Sequence, residues 1–440
     1  MGDRPILFYT SIPHSFRTTL IGYLYEIVQV YPVVLLAEEL SPDVKKILED
    51  KSLFPNLNKI IPVNQYTGLE ESRIKKYRRL RALAKKVIND YHPWLVVTAN
   101  DLYSFEMHLF RYAKRGNAIT VCIQPGGTIE SRVVKLWIDL TNAYLKFPSF
   151  IPLRLRLFLA RIRKYFGYFL YHWLLPILGG ETPFPGKASY ILETTTTGMR
   201  EADYQIVFSK HDYDIHRKGG VPKEKLIIID HPVTRDTKKI FNILLQRSIK
   251  PNEKRKNIAT LMLPSEISIG FRRQNLSLIS REQYEKRWIE IVKLVSESLP
   301  GWEIYVKPHP TSGNIDILQE ELMKISKKIT VVSPGESAER YIEIANIVIG
   351  LPPSASTTLF VASIQNPSLP IISLDTEQEL IGDFYKDSPR IDYVSSNKEL
   401  LDKLSQINNN TYRKRQNKLT SGDFRNLVEF IEYAIQQKTS

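Results

Sequence analysis

The sequence predicts an α/β protein made of two successive domains, each a parallel sheet with helices on its faces. Three observations carry this expectation. Short apolar runs alternate with helix-period segments through both halves of the chain, the rhythm of βαβ units. Many of those runs end in Gly, Pro, Asn, Asp or Ser, the residues of strand-end loops. A polar, basic stretch at 236–256 divides the alternation in two and reads as a linker. The 440 residues suffice for about two or three domains.

In the first half, 5–10 is a β-rich run, 18–30 has helical spacing and 32–37 is apolar again. Residues 70–91 form a basic amphipathic helix, and 94–98 a strand ending at Asn100-Asp101. Then come a helix at 105–115 and a strand at 118–123 that runs into Gln124-Pro125-Gly126-Gly127. Strands at 202–209 and 226–229 close the domain, expected to span 1–235. The second domain, expected over 257–440, opens with a strand at 257–263 that leads into Pro264-Ser265-Glu266. A helix at 282–298 follows, then a strand at 302–306 that ends in Lys307-Pro308-His309-Pro310. The alternation continues with a helix at 315–327, a strand at 329–332 and a helix at 338–345. Strand 347–350 then leads into Ser354-Ala355-Ser356-Thr357-Thr358, which opens a helix to 363. A strand at 370–374 and helices at 398–407 and 424–436 complete the chain.

Composition narrows the classes. The chain is 43% hydrophobic and 25% charged, which excludes dominant disorder and low-complexity fibres. One cysteine, Cys122, excludes a disulfide framework and any Cys-rich zinc or iron–sulfur site. Sixty-one basic residues against 47 acidic ones leave a net charge of +14, which favours anionic partners. No RNA- or DNA-binding motif accompanies that charge, so nucleic acid is not expected as a partner. The N-terminus has no charged region followed by an apolar core, so no signal peptide is expected. No window offers 18 uninterrupted apolar residues, the length of a spanning helix.

The most unusual stretch is 140–180, which contains no acidic residue. Arg154, Arg156, Arg161, Arg163 and Lys164 are interleaved there with phenylalanines, leucines and Trp173. Bases with aromatics and no acids describe a helix lying on an anionic membrane surface. The expected location is therefore cytoplasmic, peripherally associated with the inner face of the cell membrane.

In open parallel sheets, ligands bind at the C-terminal ends of the strands, so the loops there hold the candidate site. Lys307-Pro308-His309-Pro310 sits at such an end, its loop fixed by two prolines. The lysine supplies charge and the histidine can donate to, or protonate, a phosphate oxygen. Ser354, Ser356, Thr357 and Thr358 open a helix after another strand. Hydroxyls, free N–H groups and the helix dipole together make an anion site. Pro264-Ser265-Glu266 and Glu336 also follow strands, where a glutamate could accept hydrogen bonds from a ribose or base. Asp212-Tyr213-Asp214 has the spacing of a metal-binding DxD motif but lies in the first domain. No metal site and no cofactor are expected.

The pair of motifs Lys307-Pro308-His309-Pro310 and, 45 residues later, Pro353-Ser354-Ala355-Ser356-Thr357-Thr358 resembles a known group. It looks like the HP and serine motifs of bacterial GT-B enzymes that build surface polysaccharide. These are the polysialyltransferase, capsule Kdo-transferase and CDP-glycerol glycerophosphotransferase-like enzymes. The similarity covers most of 90–375 and includes the segment 201–232. It implies two Rossmann-like domains facing a cleft, with the basic aromatic segment as an insertion in the first. It also implies that His309, Ser354 and Ser356 contact the donor phosphate, with Lys307 and Pro310 beside them. In that group an acid or histidine of the first domain deprotonates the acceptor. Here Pro125 stands at the usual position between Gln124 and Gly126-Gly127, and proline cannot transfer a proton. Glu130, Asp101 and His14 are the candidates left.

The resemblance thus implies a metal-independent glycosyltransferase. It would move a sugar from a CMP- or NDP-activated donor to a surface-polysaccharide or glycolipid acceptor. Two other readings stay open: a non-catalytic scaffold or carbohydrate-binding protein of the same architecture, and a sugar-nucleotide epimerase.

Overall fold

The computed structural model describes residues 4–10, 16–38, 40–63, 73–101, 104–124, 131–178, 201–232, 240, 243, 257–264, 270–309, 316–336, 338–352, 357–366, 368–380, 385–386, 390–412 and 422–439. The chain divides into two compact units, 1–244 together with 419–440, and 245–418. The boundary falls inside the expected linker, most of which lies outside the described residues.

The first unit holds seven strands: β1 (Ile6–Thr10), β2 (Val33–Ala37), β3 (Leu57–Pro62), β4 (Leu95–Thr98), β5 (Ile119–Ile123), β6 (Tyr204–Val207) and β7 (Leu226–Ile228). They lie in the order β3-β2-β1-β4-β5-β6-β7, every pairing parallel. Every residue of β1, β2, β4 and β5 is buried. Such unbroken apolar strands belong inside a sheet covered on both faces. The edge strand β3 reads Leu-Asn-Lys-Ile-Ile-Pro and is largely open to solvent. It lacks the apolar run that marks its neighbours, and the sequence did not mark it as a strand.

The second unit repeats the winding. Its strands are β8 (Ile258–Met262), β9 (Gly270–Phe271), β10 (Leu278–Ile279), β11 (Glu303–Lys307), β12 (Ile329–Val331), β13 (Ile347–Gly350), β14 (Ile371–Leu374) and β15 (Asp392–Val394). The main sheet has the order β12-β11-β8-β13-β14-β15, again wholly parallel. β9 and β10 form a small antiparallel hairpin apart from it. In both units the chain builds outward on one side of its first strand, then crosses to build on the other. The crossover leaves a crevice at the C-terminal ends of β1/β4 and of β8/β13, the switch points where open α/β sheets take their ligands.

Helices cover the sheets where apolar spacing predicts them. The helix Arg281–Ser298 starts with a capping box, Ser280 and Gln283 satisfying each other's backbone N–H groups, a device that contributes roughly 1 kcal/mol. Its Tyr284, Trp288, Ile291, Val292 and Val295 are buried in the core of the second unit. The last helix, Leu427–Thr439, departs from the expected 257–440 domain. It belongs to the first unit: Glu26 accepts from the Leu427 N–H at 3.2 Å, and the Phe430 ring packs edge-on against Tyr204 at 5.2 Å. Its apolar face answers an apolar face of the first unit, something periodicity alone cannot assign.

The 140–180 stretch is not one helix. It includes the end of the helix Ser131–Lys146, then Leu153–Phe169, a π-helical turn Leu170–Leu174 and a short helix Leu175–Leu178. All of it lies in the connection between β5 and β6. Among the described residues, no helix is long and apolar enough to cross a membrane.

Candidate functional site

The register of the second sheet sets the heights of its loops. Met262 of β8 stands level with Lys307 of β11 on one side and Gly350 of β13 on the other. Adjacent strands are about 4.8 Å apart, so the loops after β11 and β13 leave the sheet roughly 10 Å apart on the same edge. His309 lies two residues beyond Lys307 and is half-buried. Beyond β13, the chain passes Leu351 and Pro352 and enters the helix Thr357–Gln365. The first turn of that helix has N–H groups without intrahelical acceptors, and the positive end of its dipole lies there.

Two contacts fix this helix and its loop. The indole Nε1 of Trp288 donates to the Pro352 carbonyl at 2.7 Å. A Cβ placed on Gly350 would lie 2.4 Å from Cδ1 of the fully buried Leu359, so a side chain there would force Leu359 to move. Thr358 is half-buried in the first turn of the helix. Thr357 opens the helix, while Ser354, Ser356, Pro310, Ser265 and Glu266 lie outside the described residues. Pro264 is buried directly after Leu263, whose N–H donates to the Lys307 carbonyl at 2.9 Å.

Lys307 departs from its expected role. Its ammonium is turned onto the backbone carbonyls of Pro308 and Pro334, the latter at 3.0 Å, and the residue is 2% exposed. Burial pulls its pKa down to about 8, against the opposing charges of Glu336 and Glu339. The side chain ties the loop after β11 to the loop after β12 rather than presenting a free cation. Glu336 also departs from expectation. Its carboxylate accepts from the Tyr341 hydroxyl and from Arg340 at 3.4 Å, which secures the start of the helix Ala338–Ile344.

The sequence reading missed an acidic corner after β14. Asp375 is buried, accepting the Glu379 N–H and the Tyr393 hydroxyl, both at 2.7 Å. Glu379 is fully buried, and burial, reinforced by the Asp375 charge, pushes its pKa up to about 8. The Arg273 guanidinium donates to the Glu379 carbonyl at 2.9 Å and lies 3.7 Å from Asp375. The signal was available: Asp375 directly follows an apolar strand, as His309 nearly does.

The first unit gathers buried polar groups around the ends of β4, β5 and β6. Asn100 donates to Glu106 at 3.2 Å. Asp101 is fully buried, one carboxylate oxygen accepting the backbone N–H groups of Glu201 at 3.1 Å and Ala202 at 3.4 Å. That oxygen fastens the approach to β6. Glu201 pairs with Arg111 at 3.5 Å, and burial raises its carboxyl above the ordinary range. Gln124 is buried and donates to Asp212 at 3.0 Å. Asp212 also accepts from Ser209 at 2.6 Å, while Asp214 pairs with Lys210 at 2.9 Å. The Asp212-Tyr213-Asp214 motif therefore sits in the helix Lys210–Lys218, its carboxylates engaged within the unit. Among the described residues, no group of three His, Cys, Asp or Glu side chains is placed to hold a metal ion. His14, Gly126, Gly127 and Glu130 lie outside the described residues.

The five bases expected on a membrane surface divide. Arg154 and Arg163 are exposed. Arg156 is buried, its guanidinium 4.6 Å over the Tyr144 ring. Arg161 and Lys164 reach the buried Asp139 carboxylate at 3.2 and 3.4 Å. Burial and the neighbouring Asp139 thus take three of the five into intramolecular contacts. Trp173 is exposed.

No protein-family description matches the chain, and no curated protein sequence matches it. Its fold is nonetheless similar to solved structures over its whole length. UDP-GlcNAc 2-epimerase from Methanocaldococcus jannaschii shares 13% identity, with 99% of each chain covered and a TM-score of 0.54. The S. aureus MnaA–UDP co-structure shares 11% identity, covering 99% of this chain and 97% of that one at a TM-score of 0.51. A putative UDP-N-acetylglucosamine 2-epimerase from Listeria monocytogenes shares 10%, covering 94% and 93% at a TM-score of 0.50. At these identities the likeness shows the fold: two parallel-sheet α/β units of the GT-B-like kind.

Proposed function

We propose that this chain is an enzyme acting on a nucleotide sugar, a UDP-sugar in the first instance, and that it epimerises the sugar to a product that carries the same nucleotide. The nucleotide part rests on the edge of the second sheet, where the half-buried His309 and the helix starting at Thr357 leave neighbouring loops at one height. A helix N-terminus with hydroxyls in its first turn suits a diphosphate, and His309 is the proposed donor to a phosphate oxygen. With Asp101 engaged by backbone N–H groups, Glu130 and His14 are the proposed proton acceptors.

Epimerisation is put ahead of glycosyl transfer because the fold likeness to UDP-GlcNAc 2-epimerases extends over 99% of both chains. Transfer to a glycan or lipid-linked acceptor is the second reading, favoured by the exposed aromatic helix of the first unit. The deciding experiment incubates the protein with UDP-GlcNAc and analyses the products. An epimer that retains UDP supports the first reading. Free UDP that appears only with an acceptor supports the second. UDP and UDP-GlcNAc should each raise the melting temperature, since a ligand that binds only the folded chain stabilises it. No stabilisation and no turnover would overturn both in favour of a non-catalytic scaffold.

A further inference from the structure

The helix Leu153–Phe169 is built inside out. Its inward side carries the buried Arg156 and Ala160, and Arg161 and Lys164 reach back to the buried Asp139. Its outward side carries Leu155, Phe158, Ile162, Tyr165, Phe166 and Phe169, each 45–67% exposed. A helix on a water-facing surface does the opposite, with apolar residues toward the core and charges outward.

The outward residues form one stripe. Leu155, Phe158, Ile162, Phe166 and Phe169 recur at intervals of three or four, and Trp173 and Ile177 continue the series through the π-helical turn and the last short helix. At 1.5 Å per residue the stripe is about 33 Å long. Among the described residues, 11 of the 17 well-exposed large apolar side chains fall within 145–178. Scattered exposed leucines need no explanation, but a contiguous apolar patch of this size marks an interaction surface.

Charge chooses the occupant. No acid occurs from 140 to 180, and Arg154 and Arg163 flank the stripe in solvent. The inner side of the last short helix packs Leu175 against Tyr77 of the helix Arg73–Tyr91. That helix carries eight bases and one acid, and its Lys75 and Arg78, close to Tyr77, are exposed. A second copy of this chain would bring the same positive field against itself. A nucleic acid would stack on the phenylalanines but find neither a stacking nor a hydrogen-bonding partner at the exposed Leu155, Ile162 and Ile177. An anionic bilayer satisfies both features, with acyl chains for the stripe and headgroups for the bases.

We infer that 153–178 docks the protein on an anionic lipid surface. The helix lies in the interface with Phe158, Ile162, Phe166, Phe169 and Trp173 facing the acyl chains. Asp139 holds it in that roll angle by binding Lys164 and, at the edge of the stripe, the half-exposed Arg161. The inference is independent of the reaction proposed above and of its substrate.

The test is co-flotation of the full chain with vesicles of phosphatidylcholine alone or doped with phosphatidylglycerol. The wild type should float with the anionic vesicles and be released by salt. Phe158→Ser/Phe166→Ser should bind at least about tenfold more weakly, with unchanged circular dichroism and melting temperature, because both positions are exposed. Arg154→Glu/Arg163→Glu should lose the preference for anionic vesicles. Brominated acyl chains should quench wild-type fluorescence more than that of Trp173→Phe. Equal flotation of the wild type and the Phe158→Ser/Phe166→Ser variant would overturn the inference. So would a concentration-dependent dimer, or a nucleic-acid complex, abolished by those serines while wild-type protein ignores the vesicles.

Discussion

The indole N–H of Trp288 donates to the Pro352 carbonyl at 2.7 Å, joining residues 64 apart in sequence. Trp288 lies in a capped helix on the face of the second sheet, and Pro352 lies in the loop that opens the proposed phosphate site. The bond fixes where the chain leaves β13 and so where the next helix begins. Trp288→Phe keeps an aromatic ring and removes the donor. A buried carbonyl left unpaired costs roughly 1–3 kcal/mol, so UDP binding should weaken about fivefold or more with the fold retained. Calorimetric titration with UDP checks this; an unchanged affinity refutes the role.

Gly350 should tolerate no side chain. Its Cβ would meet Leu359 Cδ1 at 2.4 Å, and Leu359 is itself fully buried. Gly350→Ala should lower stability by about 1–3 kcal/mol, the scale of overpacking, and shift the helix Thr357–Gln365. Combining it with Leu359→Val should cost less than the sum of the two single changes, because the residues share one contact. Denaturant melts of the four proteins measure this.

His309→Ala should reduce turnover on UDP-GlcNAc by on the order of 10²-fold, the scale of a lost proton donor. His211 is exposed in the first unit, and His211→Ala should leave turnover unchanged. Wild-type turnover in the His309 variant would dismiss the donor-site assignment.

Glu379 predicts a pH dependence. Its carboxyl titrates near 8 in the folded chain because it is buried beside Asp375, against an ordinary value of 4.5. Between those pH values the unfolded chain releases a proton that the folded chain keeps, so stability falls as pH rises. The melting temperature of the wild type should drop from pH 5 to above about 8. Glu379→Gln should flatten that part of the curve and melt higher than the wild type at the alkaline end.

Turnover should survive an excess of chelator. Asp212 is engaged by Ser209 and Gln124, and Asp214 by Lys210. Complete loss of activity, restored by Mn²⁺ or Mg²⁺, would return Asp212 and Asp214 to consideration as ligands.

The sequence by itself determined the two parallel sheets. Buried strands such as Ile347–Gly350 are unbroken apolar runs, the pattern expected of a strand covered on both faces. It also determined that His309 and Ser354 follow strands, because proline and hydroxyl clusters end such runs visibly. The edge strands β3 and β15 stayed hidden, since solvent admits Lys59 to one and an ion pair with Lys403 admits Asp392 to the other. Only the tertiary structure decided what each polar group touches. Lys307 looked like a free cation until Pro308 and Pro334 supplied its acceptors, and only the fold brought the Glu201 and Ala202 N–H groups to one oxygen of Asp101. It likewise assigned the last helix to the first unit and turned the phenylalanines of 153–169 outward. Periodicity records that a helix has an apolar side, but the direction that side faces depends on partners such as Asp139, set by the folded backbone and not by spacing in the chain.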